Sequence, residues 1–586
     1  MAKLVEALKA YIDSAAVTPE QRDVCYREPP FVVRACPGSG KTKTTATRFA
    51  WRTANWRSRH SGIAVLSFTN IAWKEIGQQL QVLGLPPRPL WPHFLGTIDA
   101  FVNRHIFLPL GHSILGCKCR PEIVDGDTRP WVADHIRDRK FSACYQQGCS
   151  PLCFEFALQG QLRYTGPRQQ PKQCGRSRCA DLKATMVRRG LALYSDAMYW
   201  GLKVLANRDI CRAIASRFPE IIVDEAQDTS EVQFKIIEAL ADAGAKIVLV
   251  GDPDQAIYEF HDARPDLFTG FATRLPVLPL SLNFRSSQLI CNATWMFSSL
   301  ASPPTAVGPD RACSEKPILR MYSPGEEASL LSWFEEKLAE RNIEAARAVA
   351  LARRHDLVAK LRGINTQDWP RGVTALSKAL ARASVYRDAG LLTEAHDGTM
   401  WAALRLCFDR HSYGARREAI ESIGDRNWRR HTWQLLRDIP LSSMSLAEWG
   451  PTLRRIVDGF LEETGWPCQC DLGRTFSRSN NPVAKEPIAA FVRLPSSDLG
   501  TTCKVIHQVK GESYDAVMVV CAPNRRRKPG DLEQWFSPDT HGAAERRTGY
   551  VALTRARKLL VLAIPTGAQL TDAQSAALAK AFDYVR

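Results

Sequence analysis

At 586 residues, with 45% hydrophobic and 24% charged side chains, the chain has the makeup of a multidomain globular protein, not of a fibrous or low-complexity one. A formal net charge of +17 favours a polyanionic partner, most naturally nucleic acid. No apolar run reaches transmembrane length and no leader pattern opens the chain, so a cytoplasmic protein with no membrane partner is expected, its 17 cysteines carried as thiols.

In chain order, Leu4, Val5, Leu8, Tyr11 and Ile12 recur at helical spacing. The apolar run Phe31-Val32-Val33 then leads into Ala35-Cys36-Pro37-Gly38-Ser39-Gly40-Lys41-Thr42, followed by a helix-compatible stretch from Lys43 to Trp51. Strand, glycine loop, helix is the setting of a phosphate-binding loop, although Ala35 stands where a first glycine is usual. Gly38 and Gly40 let successive N–H groups turn toward phosphate oxygens, Lys41 can reach the terminal phosphates, and Thr42 can hold Mg²⁺. Ile63-Ala64-Val65-Leu66 reads as a second strand, before Ser67-Phe68-Thr69. Ile221-Ile222-Val223 ends in Asp224-Glu225, and Lys246 to Val250 ends in Gly251-Asp252. Continuous Val/Ile/Leu runs are the pattern of buried parallel strands, so an α/β unit is expected, with its ligand at the carboxyl ends of the strands. Asp224 is placed to bind Mg²⁺ opposite Thr42, and Glu225 to orient or deprotonate a water; an acidic helix start is the plainer alternative. Gln255 can sense a γ-phosphate, and Tyr258 and Phe260 offer flat faces to nucleobases.

Ala346 to Arg353, Val517 to Val520 and Leu559 to Leu562 read as strands of a second α/β unit. Two long segments interrupt the units. One is Cys-rich and basic. The other is rich in Ala, Leu, Arg and Trp and reads as mainly helical.

The ordered motifs resemble those of the UvrD/Rep/PcrA type of superfamily 1 DNA helicase. Thr18-Pro19-Glu20-Gln21 is similar to the Q motif, Ser67 to Ala72 to motif Ia, and Gly96 to Phe101 to motif Ib. Asp224 to Asp228 is similar to motif II, Gly251 to Phe260 to motif III, and Leu282 to Ser286 to motif IV. Val505 to Glu512 resembles motif V, and Glu545 to Ala556 motif VI. The resemblance implies two RecA-like parallel-sheet domains, each interrupted by a mainly helical insertion. The first RecA-like domain would take 1–104 and 191–277, the second 278–365 and 501–586, and the insertions 105–190 and 366–500. It also implies 3′–5′ movement on single-stranded DNA and separation of tailed duplex, driven by Mg²⁺ and ATP.

For the nucleotide, the resemblance implies Gln21 at the adenine, Ala35, Cys36, Pro37, Gly38, Ser39, Gly40, Lys41, Thr42 and Lys43 around the phosphates, and Phe284 stacked on the base. Arg285 and Arg555 would reach the transferred phosphoryl group, and Glu512 the ribose. For DNA it implies Phe68, Thr69, Asn70, Thr97, Tyr258, Phe260 and His507. Three positions depart from the family pattern: Glu512 is shifted by one residue, Asp99 replaces a common His, and Phe284 replaces a common Tyr.

The run Cys144-x4-Cys149-x3-Cys153 with Cys174-x4-Cys179 could offer thiolates to Zn²⁺, but paired Cys-x2-Cys is absent and free thiols are the default. Only about thirty residues follow motif VI, which leaves the expectation of no nuclease domain. A DNA-stimulated ATPase acting as a sensor beside a nuclease or repair partner, as in the anti-phage Gabija systems, is the alternative to a strand-separating motor.

Overall fold

The computed structural model describes residues 2–123, 154–156, 158, 160–164, 183–257, 264–362, 369–370, 372–407, 423–468, 470–476, 482–492, 501–523, 530–536 and 540–585. Two six-stranded sheets dominate it, and within each every neighbouring pair is parallel.

The first sheet holds β1 (Phe31–Ala35), β2 (Ile63–Ser67), β3 (Phe94–Thr97), β4 (Glu220–Asp224), β5 (Lys246–Gly251) and β6 (Val277–Leu280). Their order across the sheet is β6-β1-β5-β4-β2-β3. The glycine loop leaves β1 and the acidic pair ends β4. Strand β5 lies between them, so Gly251-Asp252 sits between loop and acids. Helix α1 (Pro19–Tyr26) is closed by a capping box in which Thr18 and Gln21 satisfy each other's backbone N–H groups. Helix α2 (Lys41–Ala54) follows the loop, and α3 (Asn70–Val82) follows β2. A buried ion pair ties α2 to the start of β4: Arg48 Nη2 lies 2.7 Å from Glu220 Oε1, with both side chains 1–2% exposed. Arg48 Nη1 donates to the carbonyls of Val24 and Arg27, which satisfies part of a charge that would otherwise be costly to bury.

The second sheet holds β7 (Ile318–Tyr322), β8 (Ala348–Ala352), β9 (Thr502–Val505), β10 (Tyr514–Val520), β11 (Ala556–Pro565) and β12 (Asp583–Val585), in the order β9-β8-β10-β11-β7-β12. Between β8 and β9 the chain leaves the sheet for helices that, among the described residues, include α4 (Ala375–Asp388), α5 (Leu392–Cys407), α6 (Asp425–Asp438) and α7 (Leu446–Thr464). They share a core that includes Leu380, Leu406, Leu435, Trp449 and Leu453. Helix α8 (Thr540–Leu553) leads into β11.

The passage from the first sheet to the second begins later than the sequence suggests. Val277–Leu280 pairs with β1 as the edge strand of the first sheet, so residues 278–280 belong to that lobe. No helix among the described residues is long and apolar enough to cross a membrane.

Candidate nucleotide and nucleic-acid site

The loop after β1 turns through two left-handed glycines, Gly38 at φ 72° and Gly40 at φ 78°. A side chain at Gly38 would also collide with its surroundings, since a Cβ there would lie 2.7 Å from the Cβ of Arg285. The loop is fixed from three sides. Gln21 Nε2 donates to the Ser39 carbonyl at 3.1 Å, the Cys36 N–H donates to Leu280 O at 2.9 Å, and the Phe284 N–H donates to Gly38 O at 2.9 Å. Gln21 therefore touches the loop itself, and its side-chain oxygen is engaged by the Thr18 N–H.

Lys41 Nζ lies 3.3 Å from Glu225 Oε2. Thr45 Oγ1, one turn further along α2, donates to Asp224 Oδ1 at 3.3 Å. Gln227 donates to Glu225 Oε2, while its own oxygen accepts the Asp252 N–H at 3.1 Å. Burial would lower the Lys41 ammonium, but the charges of Glu225, Asp252 and Asp224 outweigh it and hold it above its ordinary value. Burial, then the neighbouring Glu225 charge, push Asp224 upward. For Glu225 burial acts in the same direction, but Lys41 and Lys510 overcome it and hold the carboxyl below its usual range. The acidic pair is thus split, one carboxylate reluctant to ionise and the other held ionised.

Residues on the second lobe's side reach this cluster. Asn283 Oδ1 accepts the N–H groups of Arg285 and Ser286, and Ser286 Oγ donates to Ala556 O. Arg285 Nη1 donates to Thr554 O at 2.9 Å. Arg555 Nη2 donates to Gln255 Oε1 at 3.0 Å, and Gln255 Nε2 donates to Asp252 Oδ2 at 2.5 Å. Both guanidiniums feel the Glu225 charge. Burial, then Arg557, lowers Arg285 to about 10. Burial, then Arg285, carries Arg555 well below its ordinary value. Lys510 Nζ bonds Asp228 and the Gln255 carbonyl, and Arg547 Nε donates to Ala256 O at 3.1 Å.

No signal in the sequence gave a role to Thr45, Gln227, Lys510 or Arg547. Lys510 and Arg547 lie inside motifs V and VI, but nothing in their spacing says that they cross to the other lobe.

Other expected residues lie elsewhere. Lys43 turns away from the loop, its ammonium on the Ala16 carbonyl at 3.1 Å. The Glu512 carboxylate is exposed and bound by Lys504 and Tyr514; only its backbone carbonyl accepts from Arg555, at 3.3 Å. Phe284 is half-buried beside the loop.

Among the expected DNA contacts, Thr69 and Thr97 cap helices through the N–H groups of Ala72 and Ala100. Asn70 is exposed and accepts from Trp73, and Phe68 is half-buried. His507 meets Arg353 Nη1 at 3.2 Å; burial, then Arg353, lowers it to about 4, so the ring is neutral at physiological pH. Tyr258, Phe260 and the cysteines from Cys144 to Cys179 lie outside the described residues. Among the described residues no group of three or more His, Cys, Asp or Glu side chains could hold a metal.

Residues 17–107 and 138–276 match the family model of the UvrD/REP helicase N-terminal domain. The first lobe is thus similar to the N-terminal domain of the UvrD/REP helicases. Its UvrD-like relatives include DNA helicase II of Haemophilus influenzae, 27% identical over 45% of this chain and 37% of that protein. DNA helicase II of Escherichia coli is 25% identical over the same shares. One subunit of the ATP-dependent helicase/nuclease of Carboxydothermus hydrogenoformans is 33% identical over 19% of this chain and 10% of its own length. The matches thus span well under half the length of each of these relatives.

Proposed function

We propose that the chain is an ATP-driven motor that moves 3′–5′ along single-stranded DNA and separates tailed duplex. The observation that carries this reading is the seam at which Arg555, from the second lobe, meets Gln255 of the first. A motor of this kind needs cations that arrive from a second body when the cleft shuts, because charge develops on the transferred phosphoryl group.

The residues present fit a nucleotide with a divalent cation. Ser39 Oγ and Asp224 Oδ2 are buried side-chain oxygens with no hydrogen-bond partner among the described residues. Each is a cost unless something occupies the space beside it. Thr42 and Asp224 would hold Mg²⁺, which supplies charge neutralisation at the phosphate oxygens. Gly38, Ser39 and Gly40 would present backbone N–H groups to the phosphates.

In this reading Lys41 exchanges its partner on binding, leaving Glu225 for the phosphates. Glu225 then loses the cation that contributes most to holding its carboxyl low, and becomes a better proton acceptor for a water. Gln227 keeps the Glu225 carboxylate in place during that exchange. Arg285 and Arg555 stabilise the developing charge from the opposite side. Gln255 links Arg555 to Asp252, so that closure of the seam and the state of the phosphates are felt together. Opening and closing the seam then moves the lobes along a strand held by Asn70, Phe68 and their neighbours.

The test is strand displacement on duplexes with a 3′ or a 5′ tail, with ATP hydrolysis followed in parallel. Displacement confined to the 3′-tailed substrate supports the motor. Hydrolysis stimulated by single strands without displacement on either tail replaces it with a sensor ATPase.

A further inference from the structure

Thr69 caps α3, so the first turn of that helix stands directly at the end of β2. Trp73 lies one turn along, about 5 Å of rise from Asn70. Its indole N–H donates to Asn70 Oδ1 at 3.2 Å, which fixes the ring beside the expected strand contact. On its other side α3 runs close to the segment carrying Pro86 and Pro87. Gly77 permits that approach, since a Cβ there would sit 2.7 Å from Pro87 O. The space left is an open cavity of about 380 Å³ lined by Trp73, Lys74, Gly77, Pro86, Pro87 and Arg88 among others. That volume lies at the lower end of small-ligand clefts, about 300–1,000 Å³.

The Arg88 guanidinium lies 5.5 Å from the Trp73 ring centroid. Lys74 and Arg88 are exposed, and neither has a carboxylate within ion-pair distance among the described residues. Among the described residues no acidic side chain lines the cavity. An aromatic ring and two prolines lining one cavity, with the Lys74 and Arg88 cations beside them, suit a flat apolar ring joined to an anionic backbone.

We infer that this cavity stacks one nucleobase of the single strand on Trp73, with Lys74 and Arg88 on the adjoining phosphates. The inference rests on the single-strand reading above, and places one more nucleotide of the track beyond Asn70. Continuity with Asn70, whose side chain accepts from the Trp73 indole, favours a nucleic-acid strand over an acidic peptide.

The test uses the full chain and oligo-dT carrying 5-iodouracil at successive positions. Photocrosslinking with mass spectrometry is expected to mark Trp73 from one position. Trp73→Ala is expected to weaken oligo-dT binding about tenfold, with an unchanged thermal midpoint. Trp73→Phe keeps a ring but loses the indole N–H, and is expected to restore binding to within about threefold. Arg88→Ala is expected to weaken binding and to flatten its salt dependence.

Several results overturn the pocket. One is a Phe variant as weak as the Ala variant, which would place the effect on Asn70. Others are crosslinks only at other residues, or polyglutamate competing as well as oligo-dT and equally against Trp73→Ala. Failure of the unsubstituted protein to bind oligo-dT sinks the motor reading itself. Normal binding with an unaffected Trp73→Ala sinks only the pocket.

Discussion

The Arg555 guanidinium donates to the side-chain oxygen of Gln255 at 3.0 Å, joining the link between α8 and β11 to the short turn Pro253–Gln255 after β5. Gln255 in turn donates to Asp252, so a single amide stands between an arginine of one lobe and a carboxylate of the other. Arg555→Ala removes the cation and leaves the amide oxygen unpaired. ATP turnover is expected to fall by about 10³-fold or more, with oligo-dT affinity changed only a few-fold. Gln255→Ala should retain more basal turnover while losing stimulation by single strands. Steady-state ATPase with and without oligo-dT checks both; equal stimulation in Gln255→Ala and the unsubstituted chain removes the relay.

Lys41 and Glu225 are paired at 3.3 Å, yet their substitutions should differ. Lys41→Ala is expected to weaken nucleotide binding and abolish turnover. Glu225→Gln keeps the size of the side chain and, in the proposed mechanism, removes the proton acceptor, so turnover should drop by at least about 10²-fold while nucleotide binding survives. Equilibrium binding of a fluorescent ATP analogue separates the two. Loss of binding in Glu225→Gln would show that the carboxylate holds the loop rather than the water.

In the proposed motor, Asp224 gives up stability to sit where Mg²⁺ would bind. Burial, then the Glu225 charge, raises its carboxyl above the ordinary 3.8. A carboxyl raised in the folded state favours folding while it is protonated, and that contribution is lost as pH climbs through the raised value. Asp224→Asn should therefore raise the thermal midpoint by about 1–3 °C at neutral pH, with a smaller gain at pH 5. The same variant should lose Mg²⁺-dependent turnover. Calorimetry at pH 5 and pH 8 tests the sign; a lowered midpoint at pH 8 contradicts it.

His105 offers the opposite sign. Its ring packs against Phe94, Phe101 and Phe218 at 4.8–5.3 Å, and its Nε2 has no partner among the described residues. Burial, then Arg104 and Arg217, lower the ring to about 4 from an ordinary 6.5. A base depressed in the folded state loses its contribution as pH falls from 6.5 toward 4. His105→Phe should stabilise the chain by about 1 kcal/mol at neutral pH by removing an unpaired polar atom, and the gain should widen at pH 5. Denaturant midpoints at the two pH values measure this, and a gain that shrinks on acidification rules it out.

Continuous apolar runs made β1, β2, β4 and β5 legible, because a strand buried on both faces leaves no polar position in its pattern. The same signal failed for β3, whose Phe94-Leu95-Gly96-Thr97 is diluted by Gly96 and Thr97, and for β6, where Pro279 interrupts the run. Pro279 is tolerated because β6 is an edge strand with one neighbour. In the second sheet β7, β9 and β12 were missed for a like reason, each being short or carrying polar residues such as Arg320, Lys504 and Asp583.

Local chemistry fixed the glycine loop and the acidic pair at the end of its strand, because each needs only neighbours a few residues away. What the sequence left open was every contact between distant segments. Lys43 sits two residues past Lys41 yet faces Ala16, since successive helical positions point to different sides. Glu512 spends its carboxylate on Lys504 and Tyr514. The docking of Lys510, Arg547 and Arg555 onto the first lobe arises only when the two sheets, each with its own apolar core, are packed against each other. Spacing along the chain carries no record of that packing, because the contacts that produce it join residues hundreds of positions apart.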